Sequence, residues 1–317
     1  MKQFKVVIIG AGHVGSHCGY SLMQYGDVDE IVYIDRDEKK AYAQAADIAD
    51  AGIFMPHPVL VRNGTYSDCD DADVVVLSAG VPRKEGQTRL DTLGDSIECM
   101  KDIAPKLKAS KFGGILVCIS NPADVIADYM YRALGWSKNR IFSTGTGLDT
   151  ARCKRALKEA LDIDPRAIDC YVLGEHGDSS MVPFSSVQIG GVSLKTLQKI
   201  PDSKYAVLDE TSITHRTHII GMEVVIGKGS TEFGIGTVLA NVVRAIVHDG
   251  KTIMPLSARL DGEYGQSGLH IGVPAIVGRD GVLEVFEIPL NPKEKEAFDA
   301  SCEIVKQYIE KALSLLR

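Results

Sequence analysis

The chain has no excess of positive charge, no paired-cysteine motif, no long apolar run and no repeated or low-complexity segment, and each absence removes a class of function. Lysines and arginines number 35 against 42 aspartates and glutamates, a formal charge of −7. Neither nucleic acid nor an anionic membrane is therefore expected as a main partner, since either would favour a basic surface. The seven cysteines (Cys18, Cys69, Cys99, Cys118, Cys153, Cys170, Cys302) are odd in number and scattered. They suggest neither a disulfide framework nor a zinc site, and they fit a reducing cytoplasm. No apolar run reaches about 18 residues, and a first strand is expected from Gln3, so neither a membrane span nor an export signal is expected. His13 and His17 have the i, i+4 spacing of a helical ligand pair, but no third ligand is evident and no metal is expected. What is present is 317 residues, 45% hydrophobic and 24% charged, enough to bury a large core in two domains.

The first half alternates. An apolar run from Phe4 to Ile9 ends in Gly10-Ala11-Gly12-His13-Val14-Gly15, Ser16 to Tyr25 reads as a helix, and a second apolar run, Ile31 to Ile34, stops at Asp35. In such a unit the first glycine permits a tight turn, the second lets backbone N–H groups approach a pyrophosphate, and the third lets helix and strand pack closely. Asp35 lies where an acid would accept the ribose 2′-hydroxyl of a dinucleotide, and it would repel a 2′-phosphate, so NAD is expected over NADP. Further strands are expected at Val59–Val61, Val74–Ser78, Ile115–Ile119 and Ile141–Ser143, separated by helices at Asp37–Ala49, Asp91–Leu107 and Ala123–Leu134. This pattern predicts an α/β fold with a doubly wound parallel sheet of the Rossmann type. Ligands bind beyond the carboxyl ends of such strands, where Ser78-Ala79-Gly80 and Ser120-Asn121 fall. The expected cofactor-binding set is therefore Gly10, Gly12, His13, Val14, Gly15, Asp35, Ser78, Ala79, Gly80, Ser120 and Asn121.

After Ser143 the texture changes. A helix carrying Asp149 and Arg152 is followed by a strand expected at Cys170–Leu173, a hairpin over Phe184–Ser193, and helices over Ser203–Ile226 and Phe233–His248. Strands near Thr252–Leu260, His270–Gly278 and Val282–Phe286 and a terminal helix over Pro292–Leu315 complete it. We read residues 1–144 as a dinucleotide-binding domain and 145–317 as an α+β substrate domain. Within the latter, Asp149, Arg152 and His176 form a distinctive trio. Imidazole is the side chain whose ordinary pKa lies near neutrality, so His176 is the candidate acid/base for a carbonyl oxygen. Asp149 would orient it, and Arg152 could grip a substrate carboxylate with a two-pronged bond that lysine cannot reproduce.

Taken in order, GAGHVG with Asp35, GVPRKEGQTRLD (Gly80 to Asp91), ISNPAD (Ile119 to Asp124), GTGLDTAR (Gly145 to Arg152), GEHGDS (Gly174 to Ser179), KGST (Lys228 to Thr231) and LDGEYG (Leu260 to Gly265) resemble the lactate/malate family of NAD-dependent 2-hydroxy acid dehydrogenases over nearly the whole chain. The resemblance implies that His176 exchanges the proton, Asp149 partners it, Arg152 anchors the substrate carboxylate and Asn121 contacts nicotinamide and substrate. It also implies that Gly80 to Leu90 is a lid whose Arg89 polarises the carbonyl, and that the chain assembles as a dimer or tetramer. No N-terminal arm is expected to wrap a neighbour. An idle NAD-binding relative is disfavoured, because all of these residues are retained together.

Within the family the lid position held here by Arg83 tends to report the substrate, arginine standing there in the malate branch and glutamine in the lactate branch. Arg83 would pair with the second carboxylate of oxaloacetate, and enclosed without a partner it would be costly. GEHGDS, GTGLDTAR, LDGEYGQ and Thr231 lean towards the lactate branch, and Glu85 or Glu232 could neutralise Arg83. Reversible reduction of pyruvate is therefore the expectation, with oxaloacetate or a bulkier 2-oxo acid as the alternatives. Lys154 and Asp169 stand where many bacterial lactate enzymes use arginine and histidine to bind fructose 1,6-bisphosphate, so little or no activation by that effector is expected.

Overall fold

Every residue of the first strand, β1 (Lys5–Ile9), is buried, as a parallel strand covered by helices on both faces requires. The computed structural model describes residues 3–80 and 89–315, the side chains of 89–92 excepted. Among these residues the chain continues through α1 (His13–Tyr25), β2 (Glu30–Ile34), α2 (Glu38–Gly52), β3 (Leu60–Asn63), β4 (Val74–Leu77), α3 (Arg89–Ala109), β5 (Ile115–Cys118), α4 (Ala123–Leu134) and β6 (Ile141–Ser143). The second half adds α5 (Gly147–Leu161), β7 (Ile168–Asp169), β8 (Gln188–Ile189), β9 (Val192–Ser193), the single turn α6 (Leu194–Leu197), α7 (Glu210–Lys228) and α8 (Phe233–Val247). It closes with β10 (Thr252–Asp261), β11 (Ser267–Gly278), β12 (Gly281–Val285) and α9 (Pro292–Ser314). Arg83, Glu85 and Gln87 lie outside the described residues, as does the side chain of Arg89. No described helix is long and apolar enough to cross a membrane.

The helix ends follow local chemistry. The Asp37 carboxylate accepts the Lys40 N–H at the start of α2, and Asn291 with Glu294 forms a reciprocal capping box, Pro292 opening α9. These side chains satisfy backbone donors that the first helical turn leaves unpaired.

Among the described residues nine strands form one sheet in the order β12-β11-β10-β6-β5-β4-β1-β2-β3. From β3 to β6 the pairing is parallel, which is the expected doubly wound half. The antiparallel strands β10 to β12 extend the same sheet, joined to β6 through the pair Ser257–Ser143. A continuous core of buried side chains runs from Val6 through Val117 and Leu256 to Phe298, so the two halves share their interior. A second cluster, including Leu157, Ile168, Phe184 and Ile213, holds the small sheet β7-β8-β9 against α5 and α7.

Several expected elements have different bounds, and three of them are placed differently for a clear physical reason. Helix α1 begins at His13, not Ser16, because it starts directly at the glycine turn. Cys170–Leu173 is not a continuous strand: the ladder is Ile168–Asp169 against Gln188–Ile189, after which Leu173 pairs with Met181 and Gly174 with Gly272. The apolar run is buried by packing as the chain crosses towards the large sheet. Helix α7 starts at Glu210 and not Ser203, since Asp209 caps it by accepting the Thr211 N–H.

One buried ionic cluster ties α4 to the antiparallel strands. Asp128, fully buried, accepts from Arg132 and Arg259, and His270 lies 3.3 Å from its carboxylate. Removing one partner of a buried ionic group leaves the others uncompensated, so Asp128→Ala should lower stability by about 3–5 kcal/mol. Urea unfolding measures this; a loss below about 1 kcal/mol, the range of exposed pairs, would show the cluster to be a solvated one.

Candidate active site

The carboxyl ends of β1, β2, β4 and β5 lie along one edge of the parallel sheet, where such a fold is expected to form its ligand crevice. Gly10 turns there at φ +106, and a Cβ would lie 2.6 Å from the Ala79 nitrogen, so only glycine allows the two strand ends to meet. A Cβ on Gly15 would lie 2.0 Å from the Gly10 carbonyl oxygen, which explains the close approach of α1 to the turn. Around Gly12, by contrast, a Cβ would meet nothing within 4 Å. Gly12 caps α1 without a side-chain bond, and its first turn carries no acid. Free backbone donors and the positive end of the helix dipole thus face open space, the arrangement that binds a pyrophosphate. Asp35 sits at the end of β2, accepting the Ala11 N–H at 2.8 Å and the Asp37 N–H at 3.0 Å. Each of its oxygens keeps acceptor capacity for a ribose hydroxyl. Ser120 donates to the Ala79 carbonyl at 2.6 Å, tying the end of β5 to that of β4. The Ser96 hydroxyl holds the Asn121 carbonyl at 2.9 Å, with the Asn121 side chain exposed at the crevice end of the strand. The expected cofactor residues are thereby gathered around one opening, His13 exposed at the first turn and Val14 packed on the core.

The trio lies at the next strand end. Gly145 turns the chain from β6 into α5 at φ +43, where a Cβ would strike the Ser257 nitrogen at 2.3 Å. This places Asp149 in the first turn of α5, buried. Its Oδ2 is 2.6 Å from His176 Nδ1, and its Oδ1 accepts from Arg152 Nη1 at 3.0 Å. A carboxylate can only accept, so Nδ1 carries a proton and Nε2 is the ring atom left to exchange one. Room for the guanidinium comes from α7, where a Cβ on Gly221 would fall 2.8 Å from Arg152 Cζ. Burial opposes ionisation of Asp149, but the His176 and Arg152 cations outweigh it and hold the carboxyl below its ordinary range. The Asp149 charge raises His176 above the usual histidine value, against the burial of the ring.

The loop that carries His176 is pinned through its main chain. Gly174 exchanges N–H···O bonds with Gly272 of β11 at 2.9 and 3.0 Å. The Glu175 N–H donates to Ser301 of α9 at 2.8 Å, and the His176 N–H donates to Asp124 of α4 at 2.8 Å. Thr231 is half-buried between α7 and α8. Beside it Glu232 accepts from Lys228 at 2.7 Å and from Ser230, with His13 and His17 at 3.7 and 3.8 Å. Glu232 is thus already neutralised and is a poor counter-charge for Arg83. A separate open cleft of about 610 Å³, lined by Met181, Phe184, His215, His218 and Lys293 among others, includes none of these residues. Sequence reasoning had not singled out Asp124, Gly221 or Ser301. Asp124 lies inside the ISNPAD motif, but the other two carried no local signal.

The ion pair fixes the sign of its own pH dependence. The raised His176 favours folding below its ordinary value and loses that contribution as pH rises through its folded value, whereas Asp149 contributes above its ordinary value and loses it as pH falls. In an NMR titration the His176 ring should titrate above the ordinary histidine range, and Asp149→Asn should bring it down. A wild-type midpoint at or below that range would show that burial outweighs the ion pair.

The chain is similar to known proteins over nearly its whole length. Residues 4–143 match the lactate/malate dehydrogenase NAD-binding domain, and residues 146–316 match the α/β C-terminal domain of the same family. An L-lactate dehydrogenase of Fusobacterium nucleatum is 41% identical over 98% of this chain and 97% of its own length. The solved minor L-lactate dehydrogenase of Enterococcus mundtii superposes with a TM-score of 0.93 at 35% identity, covering 98% of each chain. The malate dehydrogenase of Cryptosporidium parvum superposes with a TM-score of 0.91 at 28% identity over 99% of this chain and all of that one. The chain thus belongs to the lactate/malate dehydrogenase family and is an NAD-dependent enzyme of that family.

Proposed function

We propose that the chain is an L-lactate dehydrogenase that reversibly reduces pyruvate. The observation that carries the acid/base part of this reading is the single buried carboxylate of Asp149, which holds His176 by Nδ1 and Arg152 by its guanidinium. NAD, when bound, supplies or accepts the hydride. Negative charge that develops on the ketone oxygen is met by a proton from His176 Nε2, and the Asp149 charge, which raises His176, favours the ring's holding that proton. Arg152 anchors the substrate carboxylate, with Gly221 behind it keeping the guanidinium in place. We assign Asn121 to the nicotinamide side, Arg89 to carbonyl polarisation on lid closure, and residues 1–144 and 145–317 to the cofactor and substrate domains.

The choice of pyruvate rests on the lactate-like motifs, on Thr231 and on the names borne by the relatives. Arg83 favours oxaloacetate. With Glu232 held by Lys228, Glu85 is the remaining candidate for its counter-charge. We also propose a cytoplasmic homo-oligomer, a reading supported by exposed apolar side chains such as Phe54, Ile226 and Phe233. Asp169, exposed on β7, supports little or no activation by fructose 1,6-bisphosphate, since an acid repels a phosphate.

The ratio of kcat/KM for pyruvate and oxaloacetate under matched conditions tests the substrate, because it is the difference in transition-state stabilisation between a methyl group and a carboxylate. A ratio above one is expected; a ratio below one makes this a malate dehydrogenase in which Arg83 decides. His176→Asn should lower kcat by about 10²–10⁴-fold in both directions with NADH affinity unchanged. Wild-type turnover in that variant would remove His176 from the chemistry.

A further inference from the structure

Asp124 is almost fully buried at the start of α4. Its Oδ2 accepts the main-chain N–H of His176 at 2.8 Å, while its Oδ1 is buried without a hydrogen-bond partner among the described residues. The Ser257 hydroxyl of β10 faces the carboxyl and is itself buried without a partner that meets hydrogen-bond geometry. A purely structural role would be filled more cheaply by a neutral acceptor, since a buried carboxylate with an unsatisfied oxygen is costly. We propose that Asp124 is a positioning residue of the acid/base apparatus, a second carboxylate that holds the His176 main chain in register and, with Asp149, supports positive charge on its ring.

The inference rests on the reading of His176 as the acid/base. The groups facing Asp124 are consistent with it. From the catalytic loop these are His176 and Glu175; beyond the imidazole lie Asp149 and Arg152 of α5. From β10 comes only the neutral Ser257, and from α9 the neutral Ser301, which holds the Glu175 N–H. One turn along its own helix, Asp128 is already paired with Arg132, Arg259 and His270. His176 is therefore the nearest cationic partner for Asp124. Burial pushes the Asp124 carboxyl up to about 6, against the His176 N–H and Ser257, which favour its charge. It is thus ionised above neutrality, where its effect on His176 counts. The Asp124 charge also adds to the raising of His176 behind the larger contribution of Asp149. Its geometry resembles a clamp, one carboxylate on the ring and one on the main chain of the same residue.

The test is the pH dependence of kcat/KM for 2-oxo acid reduction, with NADH affinity and Tm, in the wild type and in Asp124→Asn, Asp124→Ala and Ser257→Ala. Asparagine keeps an oxygen for the His176 N–H and loses the charge. Its alkaline limb should therefore move to lower pH by about half to one pH unit, with NADH affinity unchanged. Its Tm at pH 7.5 should be equal to or above the wild type, because a costly buried charge is removed. Asp124→Ala should in addition lower kcat by about tenfold or more, since the loop loses its anchor. Ser257→Ala, which removes a neighbour that favours the ionised carboxyl, should move the limb the same way by less. An Asp124→Asn profile superimposable on the wild type, or a lowered Tm with an unmoved limb, would overturn the proposal. His176→Asn separates this from the underlying reading: if it is inactive while Asp124→Asn behaves as wild type, only the role of Asp124 fails. If His176→Asn itself retains wild-type reduction, the acid/base reading fails and this inference with it.

Discussion

The structure turns on one buried negative charge. A carboxylate in the interior is tolerated only with cationic or hydrogen-bonded partners, and Asp149 has both of its oxygens engaged, one by His176 and one by Arg152. That single requirement places His176 and Arg152 on a shared centre, so their separation is set by the carboxylate and not by two independent loops. It also explains the glycines around it. Gly145 lets β6 turn directly into α5 beneath β10, and Gly221 leaves space on α7 for the guanidinium. A side chain at either position would displace the element that carries the charge or its partner.

The large sheet supplies the rigidity this arrangement needs. Because β10 to β12 continue the parallel sheet instead of forming a separate one, α4, α5 and the His176 loop are all referenced to the same strands. The loop has little regular structure of its own, yet β11, α9 and α4 each hold one of its consecutive residues, Gly174, Glu175 and His176. Sites held on rigid elements keep their geometry better than sites on free loops. Here a loop obtains that property by bonding its main chain to three such elements.

Most of the architecture was legible in the chain because it rests on local rules. Alternating apolar runs and helical segments give the doubly wound half, and the glycine turn with Asp35 gives the crevice. Residue type singled out Asp149, Arg152 and His176 as a candidate trio, and the three side chains do meet in the structure. What was not legible depends on long-range packing. Cys170 to Leu173 has the apolar character of a strand, but whether an apolar run pairs or merely packs is decided by distant residues such as Gly272. The start of α7 was misplaced because helical periodicity continues ahead of Asp209, where the cap ends it. Gly221 and Ser301 act across more than sixty residues of sequence from the groups they serve, and nothing near them in the chain announces that contact.

The same reasoning narrows the question of substrate. On the proposed reading the described residues would hold one end of a 2-oxo acid, its carboxylate at Arg152 and its carbonyl at His176, and those features are equally suited to pyruvate and oxaloacetate. On that reading discrimination lies at the other end, between Thr231 and the expected lid. On the Thr231 side the charges are already balanced, because Glu232 is held by Lys228 and Ser230 with two histidines alongside. That side presents a hydroxyl and no net demand for an anion. A positive charge brought in by Arg83 would then have to be answered by Glu85 within the lid itself or by the substrate. The first answer selects a methyl group and the second a carboxylate, so on the proposed reading substrate choice turns on whether the expected lid segment carries its own counter-charge.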